Sequence, residues 1–337
     1  MPSISIIVPC FNEQGTIEKL LEAIYKQTHP LPDMEVIIAD GMSTDDTRTV
    51  ISVFSRSHPD LKLKVVDNPK GIIPAGLNIA IQNASGNYII RLDGHSIPAP
   101  DYVDLCVKDL DSGLGENVGG VWDIQPGAGT WIGRSIAQAA SIPLGVGDAF
   151  YRHGRSSSKV DTVPFGAFRK ELISKIGYFD ETLLTNEDYE FNTRLRRSGG
   201  SVWLDPSIHS AYYARPTLSA LSRQYFRYGY WKWRMLKRYP GSVRWRQALP
   251  PLFIASLLGM GLMGFFLPLF RLLLLIELGI YCLVLGFTGI LAAIRKKSTS
   301  LAIGIPLAIA TMHFSWGTGF LWSMIKGIFT KNLPETK

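Results

Sequence analysis

The chain has 337 residues, of which 46% are hydrophobic and 19% charged, and its formal net charge is +7. This length allows one large domain or two smaller ones. The positive charge fits contact with phosphate groups or with an anionic membrane surface and does not separate these two classes of partner. Cys10, Cys106 and Cys282 are far apart, so their spacing suggests neither a disulfide framework nor a zinc site. Residues 1–9 lack a basic start followed by a long apolar run, so we expect no secretory signal and a cytoplasmic N-terminal region.

Apolar, β-branched segments alternate with helical patterns over the first hundred residues. We predict strands over residues 4–8, 34–39, 61–66 and 88–92, where such segments end in turn residues. Helices are predicted from about Thr16, in the region around residues 50–54, and over residues 75–83, because apolar residues recur there at helical spacing. Strand–helix alternation of this length predicts an α/β fold with a parallel, doubly wound sheet.

Polar residues follow three of these predicted strands: Asn12 with Glu13, Asp40, and Asp93. The carboxyl ends of strands open into the ligand crevice of such sheets, so these residues predict a nucleotide site. Dinucleotide and P-loop sites are disfavoured, because neither Gly-rich motif occurs. His95 follows Asp93 after a single glycine, and an acid and an imidazole at this spacing could hold one divalent cation. A solvated Asp-Gly turn is the alternative interpretation of this triplet.

Six motifs occur in order along the chain: Ile-Ile-Val-Pro-Cys-Phe-Asn-Glu, Asp-Gly-x-Ser-x-Asp-x-Thr, Ala-Gly-Leu-Asn (residues 75–78), Leu-Asp-x-His, Phe-Gly-Ala-Phe and Asn-Glu-Asp-Tyr-Glu. This order is the one found in family 2 glycosyltransferases of the GT-A fold. The chain resembles this family over about residues 3–230, and within it the membrane-attached glucosyltransferases of bacterial exopolysaccharide assembly. The resemblance implies a GT-A catalytic domain with a Rossmann-like mixed sheet, followed by C-terminal transmembrane helices.

The resemblance also implies which residues bind the donor, a UDP-sugar. Asp40 would accept a hydrogen bond from the uracil ring, whose N–H a buried carboxylate can read; a capping or turn role is the alternative. Gln224 and Arg227 partly match the Gln-x-x-Arg-Trp motif of processive synthases and are expected near the acceptor and the diphosphate. Tyr228 replaces the tryptophan of that motif, which favours transfer of a single sugar. The remaining residues expected around the nucleotide are Pro9, Asn12, Glu13, Ser43 and Asp93.

The metal site and the catalytic base are likewise implied by the resemblance. Asp93 and His95 stand where the family usually has Asp-x-Asp, and related enzymes use Asp-x-His, so we expect Mn²⁺ or Mg²⁺, with the imidazole favouring manganese. Asp188 matches the catalytic base, which takes the proton from the acceptor hydroxyl and so inverts the anomeric carbon. Glu187 would support Asp188 or bind the acceptor. An ordinary acidic helix start is the alternative for this pair.

Composition changes near residue 217. Aromatic and basic residues over 217–239 predict a helix in the headgroup layer of an anionic membrane. Three candidate spans follow over 249–270, 272–294 and 303–325, with a buried three-helix core as the alternative. We therefore predict a catalytic domain over 1–216, interface helices over 217–246 and a transmembrane region over 247–330. Three spans would place the end of the chain on the far side of the membrane, unless the third segment is re-entrant. Residues 128–160, rich in Gly, Ser and Arg, are predicted to form a mobile loop.

The predicted function is inverting, non-processive transfer of a sugar, with glucose expected, to a lipid-linked (polyprenyl diphosphate) saccharide. The predicted location is the bacterial inner membrane, with the catalytic domain in the cytoplasm. A polyprenyl-phosphate glycosyltransferase is the nearest alternative. A non-catalytic membrane protein that binds nucleotide sugars is the alternative of another class, and His95 in place of an acid keeps it open. Apolar spans directly after the basic helix argue against a nucleic-acid partner.

Overall fold

The computed structural model of the protein describes residues 3–242 and 244–329. Nine strands form one sheet in this part of the chain. They are β1 (Ile4–Cys10), β2 (Met34–Asp40), β3 (Lys62–Asp67), β4 (Tyr88–Arg91), β5 (Ile97–Pro98), β6 (Asn117–Gln125), β7 (Ser158–Lys159), β8 (Ala167–Arg169) and β9 (Val202–Tyr213).

From β1 to β4 the helices alternate with the strands, as the sequence predicts. They are α1 (Ile17–Tyr25), α2 (Thr47–Ser57), α3 (Ile73–Asn83), α4 (Tyr102–Asp111), α5 (Trp131–Ala139), α6 (Pro143–Val146), α7 (Leu172–Ile176), α8 (Glu187–Arg197), α9 (Leu218–Arg238), α10 (Trp245–Met263), α11 (Pro268–Lys296) and α12 (Leu301–Phe329).

The sheet is mixed, in the order β3-β2-β1-β4-β8-β6-β9-β5, and β7 pairs with β9. The first four strands in this order are parallel, as predicted, while β8 is antiparallel to both β4 and β6. The chain moves outward from β1 to β3 and then returns to place β4 on the other side of β1. This reversal is the topological switch point at which doubly wound sheets bind ligands. The ends of β2, β1 and β4 are therefore neighbours.

Alternating side chains of the parallel strands feed two separate apolar layers. Ile6 and Val8 of β1 pack with α1, α2 and α4 on one face, and Ile7 packs with α3 and α8 on the other. All three of these side chains are fully buried. Because successive side chains of a strand point to opposite faces, a strand covered on both sides reads as a continuous apolar run. This explains why the pattern at the start of the chain was sufficient to predict the strand.

The chain divides into two compact units, each built from two segments. The sheet unit comprises Met1–Asp123 and Ala149–Tyr212, and the helical unit comprises Ile124–Asp148 and Tyr213–Lys337. The prediction of a loop over 128–160 is wrong, because this region contains α5 and α6. Thr130 caps α5 by accepting a hydrogen bond from the Gly133 amide, and small residues cover its buried face. The Gly, Ser and Arg content of the segment had suggested a loop, although its buried residues lie on one face of a helix.

The apolar helices differ in their bounds from the predicted segments. The first break lies at residues 264–267, whereas Arg271 is inside α11 and its Nε donates to the Gly264 carbonyl. Pro268 occupies the first turn of α11, where the missing amide hydrogen costs nothing. In the described part of the chain, two helices are long and apolar enough to cross a membrane, Pro268–Lys296 and Leu301–Ile328. The α10 helix is not one of them.

Candidate active site

The loops that follow β1 and β2 are joined by hydrogen bonds at the carboxyl edge of the sheet. The Asn12 amide donates to Ser43 Oγ at 2.9 Å, and the Thr44 amide donates to Asn12 Oδ1 at 2.9 Å. The Glu13 amide donates to Thr47 Oγ1 at 2.8 Å. Asn12 has a positive φ of 53°, a conformation that asparagine adopts more readily than most residues. Three of the residues predicted to bind the donor, Asn12, Glu13 and Ser43, are thus brought together.

Asp40 ends β2 and is fully buried. Its Oδ1 accepts from Ser43 Oγ at 2.5 Å, and its Oδ2 accepts from the Ser43 amide at 3.1 Å and from Arg48 Nε at 2.5 Å. Arg48 also bonds Asp67 at the end of β3 through Nη2, at 2.5 Å. A carboxylate oxygen accepts two hydrogen bonds, so Oδ1 retains capacity for one further donor. This capacity is compatible with the predicted recognition of a base N–H, which stays a prediction.

Arg91, the last residue of β4, joins three carboxylates. Its Nε and Nη2 donate to Asp93 Oδ1 at 3.1 and 3.0 Å, and Nη2 also donates to Glu187 Oε1 at 2.9 Å. Its Nη1 donates to Asp188 Oδ1. The Arg91 side chain is only 2% exposed. One buried guanidinium group therefore holds the predicted base beside the predicted metal ligand.

The two acids at the start of α8 take their position from the helix terminus. Asn186 precedes them in the left-handed conformation, with φ 70°, and turns the chain into the helix. The positive end of the helix dipole favours acids in this first turn, which is the alternative considered for them from sequence. The contacts of Glu187 and Asp188 with Arg91 show that they also belong to the cluster at the end of β4.

Burial and charge change the pKa values of this cluster. Burial raises the pKa of Asp188 well above its usual value; Arg91 opposes this shift, and the nearby Glu187 and Asp93 carboxylates reinforce it. Burial alone would lower the pKa of Arg91, but the surrounding carboxylates raise it overall, so this side chain stays charged. A carboxylate with a raised pKa is a stronger proton acceptor, which suits a general base.

Asp93 and His95 stand together on the turn after β4, as predicted. His95 is 43% exposed, and its Nδ1 lies 2.9 Å from Glu13 Oε1. A Cβ placed on Gly94 would lie 3.0 Å from Glu13 Cγ, so the glycine allows this close approach. A carboxylate that holds one imidazole nitrogen is the usual partner of a metal-binding histidine. In the described residues no three His, Cys, Asp or Glu side chains are arranged to hold a metal ion by themselves, so ligand oxygens would complete the coordination.

The oxygen and nitrogen donors of Asp93 and His95 fit a divalent ion such as Mn²⁺. Glu13 was predicted to line the nucleoside pocket, and the structure adds a contact that the sequence did not indicate. Its Oε1 orients His95, and its Oε2 accepts from Thr16 Oγ1. Pro9 lies on β1, between the strand core and this loop. Its predicted contact with the nucleotide stays a prediction.

Asn78 shows that one motif of the resemblance has a structural role. Its Nδ2 donates to the Phe179 carbonyl at 2.9 Å and to Glu181 Oε1 at 3.0 Å, while its Oδ1 accepts from the Phe179 amide at 2.9 Å. Lys70 bonds the other oxygen of Glu181 at 2.5 Å. These contacts attach the segment before α8 to α3. The position of the acids at the start of α8 therefore depends in part on Asn78.

Gln224 and Arg227 lie on α9, in the helical unit, whereas the residues described above belong to the sheet unit. Gln224 Nε2 donates to Tyr228 Oη at 2.9 Å, so the residue that replaces the tryptophan of the motif contacts the first residue of the motif. The contact with acceptor or diphosphate expected for these residues stays a prediction.

Arg91 and Arg48 are the residues that sequence reasoning missed. Arg91 interrupts the apolar run of β4, and a charge within a buried strand needs a charged partner. That requirement was the available signal, and it would have indicated an acidic cluster without identifying its members. Arg48 stands on a half-exposed helix face, where nothing in the pattern distinguishes it from a solvated arginine.

Comparison with known proteins identifies the family. Residues 5–177 match the family described as Glycosyl transferase family 2. The dolichyl N-acetyl-alpha-D-glucosaminyl phosphate 3-beta-D-2,3-diacetamido-2,3-dideoxy-beta-D-glucuronosyltransferase of Methanococcus voltae is 28% identical over 331 residues, 97% of this chain and 98% of that protein. The succinoglycan biosynthesis protein ExoA of Rhizobium meliloti (strain 1021) is 28% identical over 317 residues, 94% of this chain and 93% of that protein.

A solved structure shows the same fold. The mannosyltransferase PcManGT from Pyrobaculum calidifontis, in complex with GDP-Man and Mn²⁺, superposes with a TM-score of 0.60 over 92% of this chain and 87% of that chain. The two chains are 20% identical, so this likeness shows the fold, a GT-A fold, and not the substrate. The match to the family covers just over half of the 337 residues, and the chain belongs to glycosyl transferase family 2 and is a glycosyltransferase.

Proposed function

We propose that the protein transfers one sugar per reaction, with inversion, from a UDP-sugar to a lipid-linked saccharide during bacterial exopolysaccharide assembly. The observation that carries this proposal is the cluster in which Arg91 holds Asp188 and Glu187 beside Asp93. It provides a base and a metal ligand within one hydrogen-bonded group. The names of the relatives from Methanococcus voltae and Rhizobium meliloti support a lipid-linked saccharide and a polysaccharide product.

Asp188 acts as the general base in this proposal. Its Oδ1 is held by Arg91, which leaves Oδ2 to accept the proton of the acceptor hydroxyl as that oxygen attacks the anomeric carbon. Attack from the face opposite the leaving diphosphate inverts the configuration, so an α-linked donor gives a β-linked product. Glu187 is 7% exposed, and it keeps Arg91 oriented through Nη2. In this proposal the acceptor hydroxyl lies beside Asp188 Oδ2.

The donor is held by the edges of β1, β2 and β4. Asp40 Oδ1 accepts from the uracil N–H, and the linked loops of Asn12 and Ser43 form the wall of the nucleoside pocket. Asp93 and His95 would hold Mn²⁺ or Mg²⁺, and the ion would supply positive charge to the leaving diphosphate. UDP-glucose is the proposed donor, by resemblance to the exopolysaccharide glucosyltransferases. The helical unit attaches the enzyme to the inner membrane, with the sheet unit in the cytoplasm.

The test is release of UDP from UDP-glucose by membranes that contain the wild-type protein or Asp188→Asn, with a lipid-linked saccharide as acceptor. We expect the substitution to reduce turnover by about 10²- to 10⁴-fold, because the base is removed while the shape of the side chain is kept. EDTA should abolish turnover, and added Mn²⁺ should restore it. The matched control is Asp60→Asn, an exposed acid of the same unit.

Equal release by wild type and Asp188→Asn would remove Asp188 from this role and favour transfer to a lipid phosphate, an acceptor that needs little base assistance. No release from any of several UDP-sugars or from GDP-mannose would favour a protein that only binds nucleotide sugars.

A further inference from the structure

The two helices that could cross a membrane differ in their surroundings. In the most apolar 18-residue window, 11% of Pro268–Lys296 is buried against 44% of Leu301–Ile328. The first helix is thus mostly exposed, whereas nearly half of the second is covered by protein. Both helices are long enough to cross a membrane, but the mean hydropathy of the apolar window is 2.2 in the first and only 1.2 in the second. Composition and surroundings therefore both separate the two helices.

Other segments of the helical unit contact one side of α12 from its beginning to its described end. A Cβ placed on Gly304 would lie 2.0 Å from Ser135 Oγ of α5, and His313 Nε2 lies 2.9 Å from the Leu144 carbonyl of α6. Beyond this point α9 runs beside α12 in the same direction. Its contacts begin at Ser222, whose Oγ accepts from Ser315 Oγ at 2.8 Å.

Two glycines show how closely α9 and α12 approach. A Cβ on Gly319 would lie 2.2 Å from the Phe226 carbonyl, and one on Gly229 would lie 2.1 Å from the Trp316 carbonyl. Near the end of α12, Lys237 Nζ would lie 3.0 Å from a Cβ on Gly327. The second half of α12 and most of α9 therefore lie at the same depth relative to a membrane.

The helices beside α12 expose cations at its middle and at both of its ends. Those on α9 and α5 are Arg134, Arg223, Arg227, Arg234, Lys237 and Arg238. Arg223 and Arg227 adjoin the contacts with Ser315 and Gly319, near the centre of α12. From this centre to Gly304 the helix rises only about 16 Å, and to Gly327 about 18 Å. A hydrocarbon core is about 30 Å thick. No placement of α12 across it leaves these arginines outside the apolar layer, where an exposed guanidinium is strongly disfavoured.

The exposed side of α12 is mainly apolar. Its large apolar residues recur at helical spacing and form an apolar stripe of Ile303, Leu307, Phe314, Trp322, Ile325 and Ile328. The exposed polar residues of the helix are Thr318 and Lys326. An apolar stripe with basic residues on an adjoining helix is typical of a surface that lies in the headgroup layer. We infer that α12 lies along the surface of an anionic bilayer and does not cross it. The described end of α12 then stays on the same side of the membrane as α9.

The α10–α11 hairpin is the part that enters the bilayer. The two helices are antiparallel: Ser256 Oγ donates to Glu277 Oε1 at 2.7 Å, and the rings of Phe253 and Tyr281 lie 4.5 Å apart. Leu258 and Leu283 represent the large apolar side chains exposed on both helices. An antiparallel pair returns the chain to the side from which it started, whether it crosses fully or turns within the membrane. The start of α12 is therefore on the side of α9 as well.

The experiment uses single cysteines in the full-length protein. Cys282 is exposed and is changed to serine, whereas Cys10 and Cys106 are buried and are retained. Cysteines are introduced by Thr299→Cys before α12 and by Lys326→Cys near its end, both at exposed polar positions. A membrane-impermeant maleimide is applied to spheroplasts, before and after permeabilisation. We expect both cysteines to react in spheroplasts only after permeabilisation. In inverted vesicles both should react without permeabilisation, at the rate seen in permeabilised spheroplasts.

Reaction of the two cysteines from opposite sides would overturn the inference. A second measurement covers the case in which the variants do not fold: tags at both ends of the wild-type chain should be cleaved by protease from the same side. The inference rests on the membrane attachment in the proposed function, and alkaline extraction tests that premise separately. Wild-type protein released from the membranes would overturn both. Retained protein with opposite sidedness would overturn only the placement of α12.

Discussion

Arg91 supplies one positive charge to three carboxylates and is nearly inaccessible to solvent. Lysine keeps this charge but loses the planar fork that reaches Asp93, Glu187 and Asp188 together. We expect Arg91→Lys to lower kcat by about 10- to 100-fold, because the base shifts relative to the donor, with a smaller change in KM for the donor.

The measurement is the kcat and KM of UDP release together with a thermal unfolding curve. Arg169→Lys is the matched control, because Arg169 pairs with Asp111 on the exposed surface of the same unit. A wild-type kcat in Arg91→Lys would show that the position of Asp188 does not depend on the guanidinium group.

Asp109 of α4 gives a pH-dependent contribution to stability. Burial, followed by the neighbouring Asp205 carboxylate, raises the pKa of Asp109 from 3.8 to about 6, and its buried Oδ2 has no donor. Because the folded protein holds this proton more tightly, the stabilisation is complete below about pH 4 and is lost as the pH rises through 6. We expect Asp109→Asn to raise the free energy of unfolding at pH 8 by about 2 kcal/mol and to change it little at pH 4.

Denaturant unfolding of the two proteins at a series of pH values measures this difference. Asp104, on the same helix, is the control of opposite sign. Burial acts to raise the pKa of Asp104, but hydrogen bonds with Thr28 and His29 lower it overall, so Asp104→Asn should lose stability above pH 4. An Asp109→Asn profile parallel to that of the wild type would contradict the paired-carboxyl explanation.

At the scale of elements, the contact between α9 and α12 depends on glycine. Any side chain at Gly319 would meet the Phe226 carbonyl, which is backbone and cannot move aside alone. We expect Gly319→Ala to separate the helices and to destabilise the protein by about 1–3 kcal/mol. The measurement is thermal unfolding in detergent.

Gly261→Ala on α10 is the matched control, because nothing lies within 4 Å of a Cβ at that position. Alanine favours the helix there, so this variant should be as stable as the wild type or slightly more so. Equal melting temperatures for Gly319→Ala and the wild type would show that the helices do not pack as closely as described.

The elements also show where sequence patterns are informative. Strands β1 and β2 are covered on both faces, and a continuous apolar run is a direct consequence, so both strands and their polar ends were predictable. Helix α5 buries one face, but the Gly, Ser and Arg content of residues 128–160 favoured a loop over the helical period of residues 131–139. The sequence prediction placed the first break in the apolar region at the charged Arg271. In the structure the break lies between Gly264 and Pro268, and Arg271 is inside α11.

The candidate site was predictable residue by residue but not as a network. Asp93, His95, Glu187 and Asp188 were recognised by resemblance to family motifs. Arg91 connects Asp93 with Glu187 and Asp188, which are about a hundred positions apart, and no local period in the sequence indicates such a contact. The orientation of His95 by Glu13 is similarly a consequence of two loops that meet only in the folded sheet.

At the scale of the whole molecule, the helical unit is not a simple C-terminal extension. It includes Ile124–Asp148, a segment that leaves the sheet unit and returns to it before the last strands are complete. The Arg246 guanidinium bonds Asp148 at the end of this segment, and Gly304 of α12 packs on Ser135 within it. The first segment of the helical unit therefore precedes β7, β8 and β9 along the chain.

This discontinuous arrangement affects how a detergent-free catalytic fragment could be made. A stop codon after Tyr212 would remove α9 to α12 but retain α5, whose buried Ser135, Ile136 and Ala139 would then face water. Such a fragment would expose an apolar surface, and we expect it to aggregate during expression. Replacing 124–148 with a short polar connection, together with removal of the residues after Tyr212, would excise both segments of the membrane-attached part at once.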